Sequence, residues 1–195
     1  MRTFTQGGLP KPKFNCDRLF LSPAPLDIEI GAGQGLHAVR YAQKNPHRLL
    51  IAIEKTHTRF ARLETRTRNH PEIHNLVPLH ADATAFITHH LPDNSAENIF
   101  LLYPNPYPKT KHANLRWHNR PFMSLLLRKM KPGALLTLAT NLDWYAQEAK
   151  KAFITEWGLE LTAYEQVDQS AVPRTHFEKK YLSRGEICWN LQFRK

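Results

Sequence analysis

The chain has 195 residues, with 27 Lys plus Arg against 17 Asp plus Glu for a formal charge of +10, and an isoelectric point near 9.8. That length suits one domain with a real core, and the charge points to a polyanionic partner such as nucleic acid, with plain solubility as the alternative. Cys16 and Cys188 give neither a disulfide framework nor a C-x-x-C metal spacing, no signal-peptide core opens the chain, and no apolar run nears the roughly 20 residues of a membrane span, so a reduced cytosol is expected.

Residues 1–24 are rich in Gly, Pro and basic side chains and read as an arm of little regular structure, leaving 25–195 as the folded domain. The first strand is expected in "LDIEIG" (26–31), followed by a helix in "LHAVRYAQKN". A second strand, "LLIAIE" (49–54), leads into a helix in "THTRFARLETRTRNH", whose Arg59, Arg62, Arg66 and Arg68 read as a solvated face. "NLVPLHAD" (75–82) and "NIFLLY" (98–103) are the third and fourth strands. A helix is expected in "NRPFMSLLLRKMKPG", with Pro121 in its first turn and Gly133 as its stop. "ALLTLAT" (134–140) is the fifth strand. A helix capped by Asp143 runs from there to Gly158, and Trp144 and Trp157 read as packed. "LELTAYE" (159–165) and the alternating "EICWNLQF" (186–193) close the chain. Strands apolar on both faces, alternating with helices, imply an α/β fold: a doubly wound, Rossmann-like sheet of seven strands, six parallel and the last antiparallel.

In "DIEIGAGQG", Gly31, Gly33 and Gly35 follow the first strand directly, where glycine lets the chain turn tightly and lets a ligand approach the backbone. In such sheets ligands bind beyond the carboxyl ends of the strands. Leu36 stands where a dinucleotide fingerprint wants a third small residue, which weakens an NAD reading. Glu54 ends the second strand, placed to accept from two ribose hydroxyls and to repel a 2′-phosphate. Asp82 ends the third, within reach of an adenine amino group. This ordered set resembles the class I S-adenosylmethionine-dependent methyltransferases over about residues 26–140, and the resemblance would turn Glu29 toward the cofactor's ammonium group.

"YPNPYPKTKH" (103–112) begins where the fourth strand ends. Its prolines fix the backbone and remove donors. Tyr103 and Tyr107 offer stacking faces, and Lys109, Lys111 and His112 are candidate phosphate contacts. The alternative is a proline-rich connection over a hydrophobic edge. The segment resembles the P-D-P-W-P-K stretch of the bacterial tRNA (guanine-N7)-methyltransferases. Thr175-His176-Phe177-Glu178 matches that family's Thr-x-Phe-Glu motif, Thr140-Asn141 its Thr-Asp, and "RTFTQGG" its basic entry, so the likeness covers almost the whole chain. It implies that Glu29, Gly31, Gly33, Glu54, Asp82 and Asn105 hold S-adenosylmethionine. It also implies that Lys109, Asn141, Thr175, Phe177 and Glu178 meet the tRNA, in a monomer or homodimer. Independently of the family, a carboxylate such as Glu178 can accept from guanine N1–H and N2–H₂ together.

The chain departs from the pattern at Asn105, which holds the position of the family's catalytic aspartate, and at Asn141, Tyr107 and the basic stretch, where only Arg116 survives. An amide is no base near neutral pH, but guanine N7 carries a free lone pair and has no proton to lose, so alignment carries most of that reaction. Two alternatives stand beside it: methylation of an exocyclic amine, since Asn-Pro with an aromatic resembles the Asn-Pro-Pro-Tyr loop of amino-methyltransferases, and a cofactor or RNA binder without turnover. His89-His90 lacks metal spacing.

Overall fold

A computed structural model of the chain describes residues 4–5, 8–12, 20 and 23–195. Cys16 and most of the expected basic arm lie outside the described residues. Those of the arm that are described lie against the domain: His89 and His90 hydrogen-bond the carbonyls of Leu9 and Pro12, at 3.0 and 2.8 Å.

The chain forms one seven-stranded sheet in the order β3-β2-β1-β4-β5-β7-β6. The strands are β1 (Leu26–Ile30), β2 (Leu49–Glu54), β3 (Leu76–His80), β4 (Ala96–Leu102), β5 (Met130–Thr140), β6 (Glu160–Val167) and β7 (Cys188–Arg194). Six point one way, and β7 lies antiparallel between β5 and β6, as the sequence pattern requires. The helices are α1 (Leu36–Lys44), α2 (His57–Arg68), α3 (Ala83–His89), α4 (Phe122–Lys129), α5 (Asp143–Thr155) and α6 (His176–Leu182).

The twofold alternation of side chains along a strand builds two cores. Ile28, Ile30, Ile51, Ile53, Ile99 and Leu101 face α3, α4 and α5 together with Phe86, Phe122 and Phe153. Leu50, Ala52, Phe100 and Leu102 face the other way, against Ala38, Val39 and Leu63 of α1 and α2. At the edge of the second core Asp27 is wholly buried. Its carboxylate accepts from Arg48 Nε and Nη2, Tyr41 Oη and Asn98 Nδ2, all at 2.6–2.8 Å. Four donors offset the desolvation of that charge, and burial beside Asp27 drives the Tyr41 hydroxyl upward in pKa.

Several local expectations need correction. Helix α4 stops at Lys129, and Gly133, expected as its stop, lies inside β5 at φ 78°. The cap of α5 is Leu142, with Asp143 as the first helical residue. Trp144 is not packed away: it is 40% exposed, under the Arg116 guanidinium at 4.8 Å. Trp157 is packed and donates to the His118 carbonyl at 2.8 Å. Helices α3 and α6 went unread because each has seven residues, too few for a 3.6-residue pattern to show.

Helix α2 packs so tightly on the turn after β1 that a Cβ on Gly35, at φ 77°, would sit 2.4 Å from Leu63 Cδ1 and 3.3 Å from its Cα. Gly35→Ala therefore combines a left-handed backbone, costing about 1–3 kcal/mol, with a clash against a buried neighbour. Calorimetry should show a melting temperature lower by on the order of 5–10 °C for a domain of this size. An unchanged value would contradict the packing described.

Candidate active site

The parallel sheet changes winding direction between β1 and β4, so the connections leaving those strands diverge and open a crevice. On the β1 side Gly31, Gly33 and Gly35 all take positive φ, at 77°, 58° and 77°. The amides of Gly31 and Ala32 both donate to the Ile53 carbonyl, at 2.8 and 2.9 Å. The Glu54 carboxylate then fixes the turn. One oxygen accepts from Gly33 N at 2.9 Å and the other from Thr56 N at 2.7 Å. A Cβ on Gly31 or Gly33 would meet nothing within 4 Å: the turn is held from behind and faces open space.

Two cavities meet at this turn, and Gly31 lines both. One, of about 320 Å³, lies between the ends of β2 and β3 and the proline segment, with Glu54, Asp82, Asn105, Tyr107, Trp117 and Arg120 in its walls. Asp82 caps α3, accepting from Ala85 N at 3.1 Å, and pairs with Lys55 at 2.9 Å. Burial opposes its ionisation, but the Lys55 bond and the helix amides outweigh it and lower its pKa. Burial lowers the pKa of Arg120 in the same wall, although Asp82 opposes that shift. The other cavity, of about 220 Å³, is lined by Glu29, Gly33, His37, Thr175, Phe177 and Lys180 among others. Glu29 is buried, and its Oε2 meets His37 Nδ1 at 2.9 Å.

The segment Tyr103–Tyr107 forms the lip of the first cavity. Tyr103 and Tyr107 hold φ of 54° and 45°, a left-handed conformation that non-glycine residues adopt only when their surroundings enforce it. At Tyr107 the enforcing contacts are visible. Asn105 Oδ1 accepts from Tyr107 N at 3.2 Å, closing a turn through its side chain. Arg116 donates to the Tyr107 carbonyl from Nε and Nη2, at 3.2 and 3.0 Å. Arg116 is anchored in turn on Glu148 of α5, which also binds His118 and Asn119 at 3.0 and 2.8 Å. Burial raises the Glu148 pKa, and its contacts with His118, Asn119 and Arg116 bring it down further than that. The surviving arginine of the basic stretch is therefore a structural clamp, buried except for 8% of its surface.

At Tyr103 the N–H donates to the Ala139 carbonyl at 2.8 Å, and the side chain reaches Glu178. Tyr103 Oη donates to Glu178 Oε1 at 2.7 Å. Arg174 donates to the same carboxylate from Nη2 at 2.6 Å, from Nε at 3.1 and 3.2 Å, and from its own backbone N–H. Glu178 is wholly buried. Burial pushes its pKa up, but Arg174 and Tyr103 reverse that and hold it below the usual carboxylate range. The Tyr103 hydroxyl is driven far up by burial beside Cys188 and Glu178.

Of the residues singled out in the sequence, Glu29, Gly31, Gly33, Thr175 and Phe177 line one cavity, and Gly31, Glu54, Asp82 and Asn105 the other. Thr175 is also the cap of α6, accepting from Glu178 N at 3.0 Å. Glu178 does not offer a free carboxylate to a base: in this conformation Arg174 and Tyr103 occupy both oxygens. Asn141 lies outside both linings, its Nδ2 donating to Glu186 Oε2 at 2.9 Å. Lys109 is exposed on the loop beyond the lip and also lies outside them. Arg174, His37, Arg120 and Glu148 went unread: single charged residues in loops or on helices carry no spacing signal, and only the fold brings them to the site.

A family described as "Putative methyltransferase" matches residues 23–191. The tRNA (guanine-N(7)-)-methyltransferase of Nitrosomonas eutropha is 32% identical over 180 residues, covering 92% of this chain and 80% of that protein. Its namesake from Alkalilimnicola ehrlichii is 30% identical, covering 96% of this chain and 81% of its own. Among solved structures, the 16S rRNA methyltransferase KamB superposes with a TM-score of 0.68 at 16% identity, over 95% of this chain and 94% of that one, which bears out the fold.

Glu178→Gln removes the charge that Arg174 satisfies. Breaking a buried pair from one side costs about 3–5 kcal/mol, and the third of the Arg174 side chain left open to solvent places the expected loss at about 2–4 kcal/mol at pH 7. Because the folded pKa lies below the unfolded one, this stabilisation is complete above the unfolded value of about 4.3 and fades as pH falls through the folded value. Denaturant titrations of both proteins should therefore differ at pH 7 and converge in acid; a gap independent of pH would contradict the pairing.

Proposed function

This chain belongs to the tRNA (guanine-N7)-methyltransferase family, and we propose that its two cavities form the cofactor site of an enzyme that methylates guanine N7 in tRNA with S-adenosylmethionine. The single observation that carries the site assignment is the Glu54 clamp. Each carboxylate oxygen is already fixed by one backbone N–H, from Gly33 or Thr56, and each keeps an acceptor position for one of two neighbouring ribose hydroxyls. The arrangement is rigid before any ligand arrives, and the open space beside Gly31 and Gly33 fits a group lying against the turn.

Asp82 likewise has one partner per oxygen, Ala85 N and Lys55 Nζ, and retains capacity for an adenine amino group. Glu29 lines the smaller cavity and gives His37 one oxygen, Oε2; its Oε1 has no hydrogen-bond partner among the described residues. That suits an ammonium group. Held by these residues, S-adenosylmethionine would supply a methyl group on a sulfonium, and guanine N7 has an in-plane lone pair to take it. No proton is removed at N7, so no residue need act as a base. The chain's work is to orient the base, exclude water and tolerate the positive ring.

Asn105 and Tyr107 flank the larger cavity and present the base. Asn105 sets the lip through its turn and contributes no charge. Phe177, 37% exposed at the mouth of the smaller cavity, covers the base, and Lys109 meets its phosphates. Glu178 acts from beneath, locking Tyr103 to α6. Residues 25–195 act as a single methyltransferase domain. Among the described residues no helix is long and apolar enough to cross a membrane.

Incubation with labelled S-adenosylmethionine and unmodified tRNA, followed by nucleoside analysis, should yield N7-methylguanine; label in another base, or none, contradicts the reading. Glu54→Ala should weaken cofactor binding by about 1.5–3 kcal/mol, the range for hydrogen bonds to a charged group, and calorimetry with unaltered affinity would remove Glu54 from the site.

Asn105→Asp keeps the side-chain oxygen that accepts from Tyr107 N, so the lip should hold its shape while gaining a negative charge beside the cationic product. A single well-placed stabilising group is worth on the order of 10²–10³ in rate. Single-turnover methylation should accelerate by about tenfold or more. A slower variant would show that Asn105 engages the base through a neutral contact instead.

A further inference from the structure

The arginines of α2 read from sequence as a solvated face, but the fold does not leave them scattered. Arg59 lies over the Phe177 ring at 5.6 Å. Arg66 Nε donates to the Gln34 carbonyl at 3.0 Å, and its Nη2 lies 3.3 Å from His176 Nε2. Arg40 of α1 donates to the Pro173 carbonyl at 2.7 Å, just before α6. The pKa of His176 is lowered first by burial, then by the positive charges of Arg66, Lys179, Arg40 and Arg62, and Arg62 lines a shallow surface pocket beside Arg66. Lys180 adds a fifth positive side chain from α6 at the rim of the smaller cavity.

None of Arg40, Arg59, Arg62, Arg66, Lys179 and Lys180 has a carboxylate partner among the described residues. By contrast Arg48, Lys55, Arg116, Lys129, Lys131 and Arg174 are all paired. Six cations on neighbouring elements without carboxylate partners give this face a positive potential that favours a polyanion. Two, Arg59 and Lys180, line the cavity itself, so the patch is continuous with the site. The patch adjoins the smaller cavity, whereas Asn105 and Tyr107 line the larger one.

We propose that the cations of α1, α2 and α6 form a docking track for the phosphate backbone of the RNA substrate, along the rim of the smaller cavity. This rests on the tRNA-methylating reading above and adds to it a second line of phosphate contacts. The RNA backbone crosses the site from Lys109 on one side to α2 and α6 on the other, and the target base drops between them.

The side chains of Arg62 and Lys179 have no hydrogen bond to protein among the described residues and are exposed, so Arg62→Glu/Lys179→Glu tests the track without touching the cofactor walls. Binding of unmodified tRNA is measured by fluorescence anisotropy from low to physiological salt. Losing two phosphate contacts should make the slope of log K against log salt shallower by about 1.4–1.8, at roughly 0.7–0.9 per contact, while calorimetric S-adenosylmethionine affinity stays at the wild-type value. The neutral pair Arg62→Gln/Lys179→Gln, which carries less risk to folding, should show the same slope change with a smaller loss of affinity. Wild-type slopes in both double variants overturn the track and leave the functional reading standing. A wild-type protein that binds S-adenosylmethionine but no tRNA overturns that reading and the track with it.

Discussion

One buried carboxylate joins the parts of the site that the chain supplies last. Glu178 lies in α6, far along the sequence, yet it accepts from Tyr103 at the end of β4 and from Arg174 before α6. Tyr103 is left-handed, and nothing in its own sequence prefers that conformation; its N–H bond to the Ala139 carbonyl restrains the main chain while its hydroxyl bonds a charged, wholly buried partner. The strand end, the start of the proline lip and the helix that walls the smaller cavity are thus fixed to one another through a single side chain. A charge so placed is stable only while all its partners stay, so this region should respond to substitution as a unit rather than residue by residue.

Charge is layered around that knot. The floor of the crevice is acidic, with Glu29, Glu54 and Asp82 at successive strand ends, each restrained by His37, backbone amides or Lys55. The rim is basic. The layering suits a cofactor carrying a sulfonium and an ammonium beneath a polyanionic RNA: the acids favour the small cation and disfavour phosphate, while the rim does the reverse. Neither layer alone would keep the two ligands apart. The chain's net charge of +10 reports only the outer layer, which is why composition points to RNA and says nothing of the cofactor.

The sheet was legible because it obeys short-range rules. Strands apolar on both faces, helices between them and a terminal strand of alternating character leave one architecture. The placement of the glycine turn and of the acids Glu54 and Asp82 was legible because each follows from its position at a strand end. Glu178 stood out through its motif, but its engagement with Arg174 was not foreseeable, since nothing local tells a free carboxylate from a paired one. Arg116 followed the same course: expected as part of a basic stretch, it is buried against Glu148 and the Tyr107 carbonyl. The α2 arginines show the converse. Their spacing is that of an ordinary solvated helix, and only the arrival of α6, which no periodicity announced, turns a face into a patch.

The lip explains what asparagine does at position 105, where the family resemblance leads one to expect aspartate. Two demands fall on position 105. The backbone demand is for an oxygen that accepts from Tyr107 N and closes the turn, and Asn and Asp meet it equally well because both place an sp² oxygen at the same distance from the main chain. The electrostatic demand is for negative charge near a ring that becomes cationic, and only Asp meets it. Substitution between the two therefore separates geometry from charge with almost no change of shape. Because N7 needs no base, the proposed transfer asks geometry of this position first and charge second. The prolines on both sides of Asn105 and the Arg116 clamp on the Tyr107 carbonyl keep that geometry independent of the charge, so the lip can lose its carboxylate without losing its form.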